Sequence, residues 1–178
     1  ASLRVNESFE AIGSDFHYTR MAIDLRGYYT PWRYMTLAGR LRYGQTFNAL
    51  GADTPLPARF LGGGPSDVRG YGEGRMGPFL CQRSDGSSYA GSDDSACDGS
   101  KVFIGGNVAM VGSFEARFQL PASFGLTAFV DAGEIWLAKE DIDPMDVNVS
   151  AGPGLRYQTP FGPIRFDFAF LVTEPHQG

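Results

Sequence analysis

Between Asn107 and Leu120 the chain reads NVAMVGSFEARFQL, and its apolar and polar positions take turns. Val108, Met110, Phe114, Ala116, Phe118 and Leu120 stand on even numbers, while Ser113, Glu115, Arg117 and Gln119 stand on odd ones. Successive side chains of a β-strand point to opposite faces, so the pattern predicts a strand with one apolar and one polar face. The same alternation recurs along the chain. In YTRMAIDLRGYY, Met21, Ile23, Leu25 and Tyr29 oppose Arg20, Asp24 and Arg26; in YMTLAGRLRYG, Met35, Leu37, Leu41 and Tyr43 oppose Thr36, Arg40 and Arg42. GLTAFVDAGEIW sets Leu126, Ala128 and Val130 against Thr127 and Asp131, and VNVSAGPGLRYQ sets Val149, Ala151, Leu155 and Tyr157 against Asn148, Ser150 and Arg156. PIRFDFAFLV sets Ile164, Phe166, Phe168 and Phe170 against Arg165 and Asp167. With a weaker candidate at SLRVNESF, six clear strands and a seventh are predicted in an all-β chain.

Soluble sandwiches and membrane barrels both alternate in this way. Three features favour a transmembrane antiparallel β-barrel. The predicted strands run about 10 to 14 residues, where soluble strands cluster near 5 to 6 and a tilted membrane-spanning strand needs about 9 to 11. Connections alternate in length: YTPWR, LPASFG and QTPFGP are tight, whereas about residues 48–106 and the polar LAKEDIDPMD are long. The polar faces carry Arg20, Arg26, Arg40, Arg42, Arg117, Arg156 and Arg165 with Asp24, Glu115, Asp131 and Asp167, as the wet inside of a barrel does. Trp32, Phe124, Phe161 and Trp136 fall near strand ends, where an interfacial aromatic girdle is expected.

Composition sharpens this picture. Of 178 residues 24 are Gly, 13% are aromatic and only 20% are charged, so the chain is rich in Gly and aromatics without long apolar runs. No stretch of about 18 apolar residues exists to make a membrane-spanning helix. A formal charge of −5 disfavours nucleic acid as a partner, since phosphate binding wants a basic field. The only two cysteines, Cys81 and Cys97, lie in the polar stretch FLCQRSDGSSYAGSDDSACDGS. A metal site would need further ligands, and His17 and His176 are remote in sequence, so a disulfide and an oxidising compartment are expected.

The long connection holds the densest glycine run, RFLGGGPSDVRGYGEG, with Gly62, Gly63 and Gly64 ahead of Val68, Arg69, Gly70 and Tyr71. A phosphate-cradling loop would need a Gly-Lys-Ser/Thr sequence opening a helix, which is missing. Asp93, Asp94 and Asp98 suggest calcium, but the EF-hand glutamate counted from Asp94 falls on Gly105. A solvated surface loop is the plainer reading of that acidic stretch. Nucleophilic catalysis lacks its parts, because no G-x-S-x-G elbow accompanies either histidine. What remains is backbone freedom: glycines permit positive φ and close approach, and an arginine in such a hairpin can offer its planar fork to carboxylates on the polar strand faces.

RFLGGGPSDVRGY, GGNVAMVGSFEARFQLP, FVDAGEIW and GPGLRYQTPFGPIRFDFAF, in this order and spacing, resemble the C-terminal barrel region of the BamA/TamA superfamily of outer-membrane proteins, also called the bacterial surface antigen family. The resemblance runs from about Ser14 to Phe170. It implies that residues 1–178 are the C-terminal part of one barrel domain, about seven strands of a sixteen-stranded barrel. It also implies that the VRGY loop folds back into the lumen, with Arg69 against Glu115 and Asp131. Such proteins insert other β-barrels into the outer membrane of Gram-negative-type bacteria, or move polypeptides across it, with long loops extracellular. Unfolded outer-membrane clients, the lipid bilayer, accessory periplasmic or lipoprotein subunits and the remainder of the barrel are the implied partners. No cofactor, metal or enzymatic chemistry is implied. An open strand edge would template an incoming strand by β-augmentation.

The chain departs from the family pattern in its extent. It begins mid-barrel, holds no POTRA domain and stops before the last strand, so its edges are expected to pair with further polypeptide. Three other readings stand beside the assembly role: a two-partner secretion-type transporter of the same superfamily, a passive porin-like channel, and a soluble β-sandwich binding module.

Overall fold

The computed structural model describes residues 2–8, 18–48, 54–91, 97–143 and 145–173. His17, His176, Asp93 and Asp94 lie outside the described residues. Eleven strands occur among them: β1 (Ser2–Ser8), β2 (Tyr18–Trp32), β3 (Met35–Asn48), β4 (Phe79–Gln82), β5 (Ser88–Gly91), β6 (Ser100–Phe103), β7 (Val108–Gln119), β8 (Phe124–Trp136), β9 (Asn148–Thr159), β10 (Gly162–Asp167) and β11 (Phe170–Leu171). Two short 3-10 turns, Leu56–Ala58 and Lys139–Asp141, are the only helical structure among the described residues.

The long strands form one antiparallel sheet in the order β1-β2-β3-β7-β8-β9-β10, with β11 also on β9. Its register turns each strand's alternation into continuous rows. Met35 pairs with Phe118, Phe118 with Leu126, Leu126 with Leu155 and Leu155 with Phe166, an apolar row across five strands. Leu25, Leu41, Phe114, Val130 and Phe170 share that outward face and are exposed. A face this apolar and this uncovered suits hydrocarbon, while the opposite face buries Glu115, Asp131 and Ser150.

The tight turns gather at one end of the sheet. The β7–β8 turn places Ala122 and Ser123 at positive φ, 60° and 65°, matching the twist that short hairpins need. Trp32, Phe124 and Phe161 stand exposed at this end, as the girdle requires. Trp136 does not join them. It lies at the long-loop end and is buried, where the backbones run so close that a Cβ on Gly106 would sit 2.0 Å from the Trp136 carbonyl oxygen.

Two further differences from the alternation pattern have local causes. Residues 163–172 form two strands, because the ladder lapses at Phe168 and Ala169, opposite Pro153 and Gly152. Pro153 has no N–H to donate, and Gly152 lets the backbones close so far that a Cβ would stand 1.8 Å from the Phe168 carbonyl. The long connection is also ordered internally, since β5-β4-β6 form a separate three-stranded sheet.

The Cys81–Cys97 disulfide, with Cα atoms 5.8 Å apart, staples that small sheet. Ser84 reinforces the closure through its hydroxyl, 2.6 Å from an Asp98 carboxylate oxygen, and these contacts hold the Asp98 carboxyl below its ordinary range. Reducing the disulfide should loosen residues 79–103 by about 3 kcal/mol, the chain-entropy value for a loop near this size. Limited proteolysis should then cut this segment faster while heat-modifiable gel mobility of the barrel stays unchanged; loss of the heat shift itself would reject this separation.

Candidate functional site

The glycine-rich segment enters the polar side of the sheet as a hairpin. Phe60 bridges to Gly106 and Gly62 to Met76, and the Gly64 N–H donates to the Tyr71 carbonyl at 3.0 Å. Gly63 and Gly64 both adopt φ +92°, a region that L side chains rarely enter, and a Cβ on Gly63 would meet the Gly72 carbonyl oxygen at 2.4 Å. Gly62 is tight for a different reason: its Cβ would strike Met76 and Ile135. The run of three glycines thus lets a narrow hairpin turn against the wall.

Apolar contacts seat the upper part of the hairpin. Val68 and Met76 are buried with Ala109, Val111 and Ile135 of the wall, and Phe60 and Tyr71 pack on the rim of this cluster. Burial of an aliphatic side chain of this size is worth about 1.5–3 kcal/mol. Gly70, at φ +100°, lies so near β9 and β11 that a Cβ would approach Leu171, Ala169 and Ser150. Small residues along the inner face of β9, Ser150, Gly152 and Gly154, leave room for it.

Below that cluster the contacts become ionic. Arg69 is 5% exposed and Asp131 fully buried. Its Nε and Nη2 donate to the two Asp131 oxygens at 2.7 and 2.8 Å, and its backbone N–H reaches the same carboxylate at 3.2 Å. Nη1 donates to Glu115 at 2.8 Å and Asp167 at 3.2 Å, and Nη2 also meets the Ser113 hydroxyl at 3.3 Å. All five N–H groups of the guanidinium therefore have acceptors. The Phe129 ring lies under it, 3.6 Å from centroid to the guanidinium carbon.

Strand register creates this socket. Ser113 pairs with Asp131 across β7 and β8, Glu115 pairs with Phe129 two residues further along, and Asp167 pairs with Gly154 on the next row. Gly154 is needed there, because a Cβ would stand 2.4 Å from an Asp167 oxygen. The wall holds the hairpin tip in return. Arg40 donates to the Ser66 carbonyl at 2.8 Å, Arg165 to the Pro65 carbonyl at 3.2 Å, and Arg42 pairs with Asp67. Glu115 is further held by Arg117 and Arg156, at 2.7 and 2.9 Å.

Val68, Arg69, Gly70, Tyr71, Glu115, Asp131 and Gly62 to Gly64 thus converge on one site. Cys81 and Cys97 lie apart from it, in the small sheet. Asp167, Phe129 and Ser113 belong to the socket as well. Their signal in the sequence was positional: all three stand on odd-numbered, polar-face positions of their strands. The Ser113 hydroxyl donates to Asp131 at 2.6 Å as part of the socket, and among the described residues no cluster of metal-binding side chains occurs. The socket is a binding device for a piece of the chain's own backbone.

Comparison with known proteins gives a consistent set of relatives. The model of the Omp85 superfamily domain matches residues 1–177. Outer membrane protein assembly factor BamA of Neisseria meningitidis serogroup B is 26% identical, the match covering 72% of this chain and 17% of the relative. The crystal structure of BamA from Haemophilus ducreyi lacking POTRA domains 1–3 superposes with a TM-score of 0.73 at 25% identity, over 91% of this chain and 33% of that one. The chain therefore spans a third or less of the length of these relatives.

Replacing Arg69 with Ala would leave the fully buried Asp131 without a cation, while Glu115 keeps Arg117 and Arg156 and Asp167 keeps Arg165, and should destabilise the seated hairpin by about 3–5 kcal/mol. Arg69→Lys should recover little, because an ammonium cannot supply the planar fork. A double-mutant cycle of Arg69→Ala with Asp131→Asn, read by protease resistance of the hairpin, should give a coupling of about 1–3 kcal/mol. Additive losses would reject the direct pairing as the source of stability.

Proposed function

The chain belongs to the Omp85 superfamily, and from that footing we propose that it forms part of an outer-membrane barrel that inserts other outer-membrane proteins or translocates polypeptides. In this reading the tight turns face the periplasm and the long connections, with the disulfide-closed sheet, face the exterior. The hairpin bearing Arg69 is a fixed strut inside the lumen. The single observation that carries this reading is the Arg69 socket, where one buried guanidinium spans acids on β7, β8 and β10.

The physical work assigned to the strut is mechanical. An assembly barrel must present a strand edge to an incoming chain, because unpaired N–H and C=O groups in lipid cost several kcal/mol each and drive strand addition. A wall that yields everywhere would relax instead of templating. Cross-linking three strands through one ion cluster keeps the described wall stiff, so that opening is confined to another part of the barrel. A porin-like open channel is disfavoured by the same hairpin, which occupies the lumen side of the sheet. Chemical catalysis has no role in this mechanism.

The test uses the full-length parent protein in lipid vesicles with an unfolded outer-membrane barrel as client. The wild type should speed appearance of the client's heat-modifiable band, and Arg69→Ala should slow it several-fold while the parent itself still shifts on heating. Unchanged client assembly in a variant whose hairpin has become protease-sensitive would remove the strut from the mechanism. Export of one dedicated protein without insertion of barrel clients would favour the secretion-transporter reading. A parent that stays soluble without detergent and shows no heat shift would overturn the membrane assignment.

A further inference from the structure

The tyrosine end of the hairpin is held by a different chemistry from the arginine end. The Tyr71 hydroxyl donates to Asn148 Oδ1 at 2.5 Å. Asn148 Nδ2 donates to Glu134 Oε2, and Glu134 Oε1 accepts the Ile135 N–H at 2.9 Å. Glu134 is 4% exposed, and none of the ion pairs among the described residues includes it. This is a buried carboxyl that the Arg69 socket does not use.

The order of donors and acceptors follows from the contacts at each end. Glu134 Oε1 is taken by the Ile135 N–H and Oε2 lies against the Asn148 NH2, which leaves the Asn148 oxygen for the Tyr71 hydroxyl. Burial and the nearby Glu134 charge keep the Tyr71 hydroxyl above its ordinary range, so it remains a donor. Two other groups face the cluster. Thr173 meets the Tyr71 hydroxyl and accepts the Val149 N–H at 2.8 Å, and Asp146 adds negative charge beside Glu134.

We infer that Asn148 and Glu134 are positioning residues for the VRGY hairpin, forming a polarity-ordered relay that fixes Tyr71 to the β8–β9 rim independently of the Arg69 ion cluster. The inference rests on the strut reading above for its functional meaning, but the relay itself can be measured without any assembly assay. Arg69 supplies charge neutralisation deep in the wall. The relay supplies direction, because a buried amide between a fixed donor and a fixed acceptor tolerates only one orientation.

A polarity swap tests it in the full-length protein, read by the rate at which protease cuts residues 54–91. Asn148→Asp removes the donor and sets two carboxyl groups against each other, so cleavage should rise about tenfold or more. Glu134→Gln leaves one oxygen for two donors, the Ile135 N–H and the Asn148 NH2, so on its own it should also raise cleavage. In the double variant Asn148→Asp with Glu134→Gln the glutamine oxygen keeps the Ile135 N–H, its NH2 donates to the new carboxylate, and Tyr71 still has an acceptor, so cleavage should return to near wild type although each single change raises it. General loss of packing would not be rescued in this way.

Tyr71→Phe provides a second route should Asn148→Asp fail to give a heat-modifiable barrel. It should raise cleavage in the wild-type background and several-fold less in the Asn148→Ala background, where only the Thr173 contact of the hydroxyl is left to lose. Absence of rescue in the double variant, or additive effects of Tyr71→Phe and Asn148→Ala, would overturn the relay. Restored protection without restored client assembly would leave the relay standing and overturn the strut reading instead.

Discussion

A guanidinium removed from water must find acceptors for five N–H groups and compensation for a full charge, and around Arg69 that requirement organises everything else. Its acceptors sit on β7, β8 and β10, so the socket exists only when these strands hold one relative register. A slip of one residue would turn Glu115 or Asp131 to the outer face, into hydrocarbon. Register protects the ion cluster, and the ion cluster penalises every other register.

The hairpin is seated by two kinds of contact with different tolerances. Around Val68 and Met76 the fit is apolar, and side chains of similar volume can exchange there at modest loss. Around Arg69 the fit is ionic and directional, and removing the arginine leaves Asp131 buried without compensation. Between the two lies the bare inner face of β9. Gly152 and Gly154 admit the Phe168 backbone and the Asp167 carboxylate at distances that any Cβ would forbid. Space in this site is made by omission of side chains.

Much of the wall was legible from period-two alternation, because each long strand faces hydrocarbon on one side and polar groups on the other. Exceptions to the alternation carried the rest of the information. Ala109, Val111, Phe129 and Ile135 are apolar residues on the polar face, and the hairpin packs on or beside all four. A short apolar interruption reads as noise in a single strand. It becomes meaningful only when register aligns the interruptions of β7 and β8 into one patch. The small sheet left no pattern to find, since FLCQ, SYAG and SKVF are four residues each and too short to show a period. Asp167 was visible as a polar-face acid, but its place beside Arg69 depends on the register of β10 on β9, which no single strand reveals.

The disulfide-closed sheet joins the rest of the chain at a narrow neck, where the Ile104 N–H donates to the Pro78 carbonyl at 3.0 Å. The small sheet, from Phe79 to Phe103, is entered and left through that neck. Geometrically the segment is an appendix: its length and content can change while positions 78 and 104 stay where they are. The long connection therefore divides into an inner root with almost no freedom to vary and an outer crown with a great deal. A lineage pressed to alter the surface it presents to its surroundings could rewrite the crown without disturbing the root.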